Sequence, residues 1–305
     1  MRLGRRLLLT LPTLAGIALL VFGFLHLVPG DPVEIMLGEG AAAADAAALR
    51  AALGLDRPFG EQIVRFLDGL VRGDLGDSIA FRRPVAEVIA ARYPATLELA
   101  AAALVLAVAI GVPLGVLAAT HRGKTPDAVA RTVSLVGACF PTLWLAPVLV
   151  LVFSMWLGWL PVSGRGGLAH LVLPAVSLAV AMLGILVRLT RASVLGALGD
   201  AHVLAARARG APEWLVVWRH AVGNALAPVV TLIGLQTGAL LAGTVVTETI
   251  FAWPGIGRLL VQGIGARDYP LVQGCVLVIG ITYVAVNLLT DLTLALLDPR
   301  VRDDA

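Results

Sequence analysis

The sequence predicts an all-α polytopic membrane protein of about six transmembrane helices, with both chain ends on the cytoplasmic side (N-in/C-in). Its 305 residues are 59% hydrophobic and only 14% charged, with a mean hydropathy of +0.91, which leaves too little polar surface for a water-soluble globule. Six apolar runs reach the roughly 20 residues that a helix needs to cross a hydrocarbon layer about 30 Å thick. Basic residues flank those runs on alternate sides, the pattern that orients membrane helices.

The first run, 7 to 28, follows Arg5 and Arg6 and carries no small-residue cleavage site, so it is expected to stay as a membrane helix and not to leave as a signal peptide. The others are 95 to 119, 132 to 157, 171 to 191, 226 to 250 and 272 to 297. Lipid offers the backbone no hydrogen-bond partner, so each run is predicted to be helical. Pro113, Pro141 and Pro147 fall inside runs, where each removes a donor and favours a kink.

All but one of the 23 basic residues are arginine, the exception being Lys124. On the predicted inner side lie Arg2, Arg5, Arg6, Arg122, Lys124, Arg131, Arg188, Arg191, Arg207, Arg209, Arg219, Arg300 and Arg302. The short outer loops hold only Arg165, Arg258 and Arg267. The net charge of +3 is thus topological. Without aromatic interleaving the arginines exclude nucleic acid as a partner and leave the lipid bilayer.

Two hydrophilic segments remain. In the outer one, about Pro29 to Tyr93, Ile63, Phe66, Leu67 and Leu70 recur at helical spacing and predict a short amphipathic helix, lying on the membrane or packed under the loop. The inner one, about 192 to 225, reads as helix, break, helix: helix formers from Asp200 to Arg209, then Gly210, then Pro212 opening the next helix. Three parts follow: 1 to 93, the first span and an extracytoplasmic segment; 94 to 297, a core with its cytoplasmic loop near 192 to 225; and 298 to 305, a cytoplasmic tail.

Few residues suggest chemistry. Gly123-Lys124-Thr125 resembles the end of a phosphate-binding loop, but Ala118 stands where that loop needs glycine, and no strand precedes it. His26, His121, His170, His202 and His220 show no metal-ligand spacing, and Cys139 and Cys275 lie in apolar runs, so no metal or disulfide framework is expected. Carboxylates near the spans are Glu98, Glu248 and Asp291; each is either a pathway or gating group or an interfacial packing group. Gly111/Gly115 and Gly234/Gly238 predict close helix packing.

The segment Ala206-Arg207-Ala208-Arg209-Gly210, followed by Arg219-His220-Ala221-Val222-Gly223-Asn224-Ala225-Leu226-Ala227-Pro228, resembles the EAA loop of ABC-importer permeases, and more narrowly that of the dipeptide/oligopeptide/nickel type. Further strings have family counterparts in the same order: Pro29-Gly30-Asp31-Pro32, Leu53-Gly54-Leu55-Asp56, Gly73-Asp74-Leu75-Gly76-Asp77-Ser78, Pro94-Ala95-Thr96-Leu97-Glu98-Leu99, Trp253-Pro254-Gly255-Ile256-Gly257 and Leu297-Asp298-Pro299-Arg300. The resemblance implies an ABC type I importer permease fold. It also implies a non-enzymatic subunit that forms half of a pathway for short peptides or a related solute. Its partners would be a second, homologous permease, two ATPase subunits and an extracytoplasmic substrate-binding protein.

No cofactor is expected in the chain itself, with ATP and Mg bound by the ATPases. Carried over, Ala205 and Ala206 would be small contact residues in an ATPase cleft, Arg207 and Arg209 charged contacts, and Gly210 the turn. Leu204 departs from the family pattern, which has a polar residue there. Two other classes stay open on the residues alone. A membrane-embedded enzyme would show a polar catalytic cluster, and an ion-coupled carrier would show repeats or broken spans around midplane charges.

Overall fold

The computed structural model describes residues 3–27, 47, 50–51 and 56–297. The motif residues 29–32 and 53–55 and the tail 298–305 lie outside the described residues. In chain order the elements are α1 (Leu3–Leu27), α2 (Phe59–Arg72), β1 (Asp77–Ser78), β2 (Arg83–Pro84), α3 (Val85–Thr120), α4 (Thr125–Cys139) and α5 (Thr142–Leu149). α5 continues as a π-helical stretch, Val150–Trp156. Next come α6 (Leu168–Ala197), α7 (Ala201–Ala208), α8 (Glu213–Ile250, with a π-helical stretch at Val216–Val222), α9 (Ile256–Gly265) and α10 (Tyr269–Leu297). They form two compact units, Arg2–Pro94 with Gly255–Val284, and Ala95–Pro254 with the chain from Ala285 onward.

In the first unit α1 occupies the first predicted span. α2 is the amphipathic helix expected around Ile63 to Leu70. Its Phe66, Leu67 and Leu70 pack on Ala18 and Val21 of α1 and on Leu277 of α10. The helix is therefore seated on its own chain. Phe22 holds it there, with ring centroids 5.5 Å from Phe59 and 5.4 Å from Phe66.

Past Gly73, whose φ of 75° ends α2, the Gly73-to-Ser78 string folds into the β1–β2 ribbon, pairing Asp77 with Pro84 and Ser78 with Arg83. Buried Asp268 anchors it: Oδ2 accepts from the Ser78 hydroxyl and, at 3.0 Å, from the Ala80 amide, while Oδ1 caps the Leu271 amide at 3.2 Å. Beneath, Val85, Val88 and Ile89 form a core with Ile256, Leu259, Leu271 and Cys275.

The second unit is a bundle of α3, α4, α6 and α8. Ala95, Leu99, Ala103 and Ala107 recur every four residues on α3 and pack against Ala175, Leu178, Ala179, Met182 and Leu186 of α6 and Val229 and Leu240 of α8. Such i, i+4 spacing puts one stripe of α3 on the seam. The glycine pairs serve close approach: a Cβ on Gly115 would lie 2.6 Å from Cβ of Thr190, and one on Gly234 would overlap Thr290. Gly137 of α4 is closer still to main chain, where a Cβ would sit 2.7 Å from the Val180 carbonyl oxygen. Beside it Ser134 Oγ donates to the Gly184 carbonyl at 2.7 Å.

Among the described residues four helices are long and apolar enough to cross a membrane: Val85–Thr120, Leu168–Ala197, Glu213–Ile250 and Tyr269–Leu296. They contain the second, fourth, fifth and sixth predicted spans and extend beyond the apolar runs, because hydropathy marks where a helix meets lipid and not where its hydrogen bonds stop.

The third predicted span, 132 to 157, differs. α4 stops at Cys139, Phe140 is extended (φ −93°, ψ 110°), and α5 restarts behind Pro141. The proline ring disfavours helical geometry at the residue before it, and its missing N–H suits the start of a helix. Past Pro147, which lies inside α5, the backbone widens into the π-helical stretch.

Candidate functional site

The inner loop is a short helix hairpin. On α7, Val203 and Ala206 lie three apart and face inward, where they join Val194 and Ala197 of α6 and Val216, Val217 and Ala221 of α8. Leu204, Ala205, Arg207 and Arg209 are exposed. Ala206, at 2% exposure, is placed otherwise than an ATPase contact requires. It seats α7 on the bundle, and its helical position leaves Ala205 and Leu204 to the outer face.

The end of α7 is a Schellman turn: the Gly210 amide donates to the Arg207 carbonyl at 2.9 Å and the Ala211 amide to the Ala206 carbonyl at 3.2 Å. Gly210 has φ of 80°, and a Cβ there would meet nothing within 4 Å. Backbone preference, and not space, therefore makes the position suit glycine.

Pro212 then opens α8, and Arg207 grips Glu213 of its first turn, Nε to Oε2 at 3.2 Å and Nη2 to Oε1 at 2.5 Å. The carboxylate shifts the Arg207 guanidinium further above its ordinary range, through the hydrogen bond first. A second tie forms across the hairpin. Asn224 Nδ2 donates to the His220 carbonyl at 3.0 Å and lies 2.7 Å from His202 Nε2, which is itself 3.3 Å from the same carbonyl.

In the first turn of α4 stands a group that the sequence alone does not single out. Asp127, 2% exposed, accepts from Arg191 Nε at 2.6 Å, from Arg191 Nη2 at 3.1 Å and from the Gly123 amide at 2.9 Å. Arg131 approaches the same carboxylate at 3.7 Å. These bonds, Arg191 first and Gly123 next, hold the Asp127 carboxyl at about 2, well below its ordinary value. The signal was present: an aspartate directly after Pro126 in the first turn of a helix, where negative charge is favoured. Gly123-Lys124-Thr125 is thus the turn that Asp127 closes, with Gly123 at φ 77°.

The three carboxylates near the spans have separate environments. Glu98 pairs in the open with Arg165, Oε2 to Nε at 3.0 Å, and that guanidinium lies 5.9 Å above the Trp253 ring. Trp253 is fully buried and donates from Nε1 to the Ala95 carbonyl at 2.8 Å. Glu248 is fully buried and accepts from the Thr96 hydroxyl at 2.7 Å. Glu98 thus lies on α3 and Glu248, near the end of α8, engages the same stretch of α3 through Thr96, whereas Asp291 lies toward the C-terminal end of α10.

Comparisons with known proteins agree with this architecture. Residues 111–303 match the family "Binding-protein-dependent transport system inner membrane component", and residues 2–100 match its N-terminal companion. The chain is 42% identical to the dipeptide transport system permease protein DppB of Escherichia coli K12, across 98% of this chain and 97% of that one. It is 41% identical to the glutathione transport system permease protein GsiC of Salmonella paratyphi A, with the same coverage.

Among solved structures, the MetNI methionine ABC transporter aligns with a TM-score of 0.56 at 17% identity, over 69% of this chain and 96% of that chain. An amino acid ABC transporter with histidines aligns at 0.52 and 18%, over 70% and 94%. These two establish the fold, that of ABC importer permeases. The chain is a multi-pass inner-membrane transport subunit and belongs to the binding-protein-dependent transport system inner membrane component family.

Proposed function

We propose that this permease forms half of a pathway for short peptides of the dipeptide or glutathione class, and that it couples to ATPase subunits through α7. Full-length identity above 40% to one dipeptide and one glutathione permease supports the substrate class. The observation that carries the coupling reading is the rooted hairpin. Val203 and Ala206 seat α7 on the bundle, Arg207 is forked to Glu213, and Leu204 and Ala205 are turned outward.

A helix fixed at its base and bare on its outer side transmits rigid-body motion of a partner to the spans, because the packed elements have discrete arrangements and do not deform continuously. In this reading Arg209 and the outer edge of Arg207 meet the ATPase, and Gly210 turns the chain back toward the membrane. Two ATPase subunits would carry ATP and Mg. A second, related permease would complete the pathway, and an extracytoplasmic binding protein would deliver substrate. Glu98 and Glu248 belong to its outer end as packing or gating groups, and Asp291 to its inner end.

The test is co-purification of the chain with its ATPase subunits from membranes, comparing native protein with Ala205→Glu and Gly210→Pro. Loss of the ATPases from variants that still insert normally supports the reading. Equal retention by both variants overturns it.

A further inference from the structure

Three arginines surround one cavity on the side that the arginine distribution assigns to the cytoplasm. The cavity, about 310 Å³, lies between α4 and α6 and is lined by Ala130, Arg131, Ser134, Leu135, Val187, Arg188 and Arg191. Its chemistry is divided. One part is guanidinium. The other is aliphatic: Leu135 is 65% exposed, beside buried Ala130 and Val187.

The charge is left unbalanced. Asp127 engages Arg191 as a fork and Arg131 at 3.7 Å, so one carboxylate serves two guanidiniums. Arg188 is exposed and has no ion-pair partner among the described residues. Fixed cations around one small space repel each other unless an anion enters, and clusters of arginine at the cytoplasmic boundary attract acidic lipid headgroups. Leu135 offers what a free anion has no use for, an exposed aliphatic wall beside the charges.

We infer that the Arg131–Arg188–Arg191 cavity is a binding site for an anionic phospholipid of the inner leaflet, its phosphate held between Arg188 and Arg131 and an acyl chain laid along Leu135. Arg191 is fixed by Asp127 and contributes field, while Arg188 and Arg131 supply direct contacts. A lipid here bridges α4 and α6 immediately beside the turn that Asp127 closes. This inference does not depend on the substrate class or on the coupling role of α7.

The test is native mass spectrometry of the purified full chain titrated with phosphatidylglycerol, with phosphatidylcholine as the neutral counterpart. Phosphatidylglycerol should bind the native chain more tightly. Arg188→Gln should weaken it about fivefold, the factor for one lost arginine contact near the surface, and Arg131→Gln/Arg188→Gln by about 25-fold. Arg188→Lys should retain most of the binding, and Arg219→Gln, a charge removed elsewhere on the same side, all of it. If Arg188→Gln fails to fold, Arg131→Gln alone serves in its place. Equal binding of the two lipids, or equal losses in Arg188→Gln and Arg219→Gln, overturns the site. Displacement of the lipid by inorganic phosphate at matching concentration assigns the cavity to a free anion and overturns the lipid reading.

Discussion

Asp127 and Arg191, 64 positions apart in the chain, meet as a two-pronged ion pair, with Nε 2.6 Å from Oδ1 and Nη2 3.1 Å from Oδ2. The pair joins the first turn of α4 to the last turns of α6. Two parallel bonds fix angle as well as distance, which a single contact does not.

Replacing Asp127 by Asn should lower the thermal midpoint of the purified chain in detergent. Since the folded carboxyl titrates near 2, below its ordinary 3.8, the pair's contribution is complete above pH 3.8 and lost as pH falls through about 2. The gap between native and Asp127→Asn midpoints should stay constant from neutral pH to about 4 and narrow toward 2. Tryptophan fluorescence melts across that range check it, and a gap that closes between pH 8 and 5 would assign the effect to another group.

Thr96→Val should cost about 1 to 3 kcal/mol, because it keeps the volume but removes a donor from a carboxylate shut away from water. Thr96→Ser, which retains the hydroxyl, should recover most of the loss. Melting midpoints of the two variants separate hydrogen bonding from packing at Glu248.

Gly137→Ala should be destabilising by about 1 to 3 kcal/mol through overpacking, since the added methyl meets the Val180 main chain and has no flexible side chain to displace. Gly196→Ala is the control, because its Cβ meets nothing within 4 Å. Proteolysis or thermal aggregation in detergent should distinguish the two.

At Gly210 a Cβ has room but the backbone is left-handed, so Gly210→Ala should cost about 1 to 2 kcal/mol locally, and Gly210→Asn less. Hydrogen exchange at the Gly210 and Ala211 amides reads that difference directly. Equal exchange in all three proteins would mean that the turn is not held by its φ.

By contrast, Arg207→Ala should leave global stability within about 1 kcal/mol, as exposed ion pairs do. If α7 docks an ATPase, the same variant should lose ATPase association by much more. A double-mutant cycle with Glu213→Ala separates the internal pair from the external contact.

Much of this fold was legible because lipid imposes a simple rule: long apolar runs become helices, and arginine marks the inner ends. The α7 turn was equally readable, since Gly210 and Pro212 have local, conformational reasons to stand where they do. The Asp127–Arg191 pair was not, because nothing in a sequence reports which of many arginines a distant aspartate will meet. Glu98 and Glu248 looked alike as membrane-edge carboxylates. Their difference, one open beside Arg165 and one enclosed by Thr96, arises from how α3 and α8 pack and has no local signature. The break in the third span lay between these cases: Pro141 announced a perturbation, but hydropathy averaged over the run concealed that the helix stops.

That interruption at Phe140 and Pro141 constrains the surroundings. Helix ends leave amide and carbonyl groups without partners inside the helix, and hydrocarbon supplies none. A chain that breaks between its polar borders must therefore have protein or water against the break. Phe140, Leu143 and Trp144 are 51%, 64% and 72% exposed on the isolated chain. The break thus divides the third span into two helices of 15 and 8 residues, neither of which reaches across a hydrocarbon layer by itself.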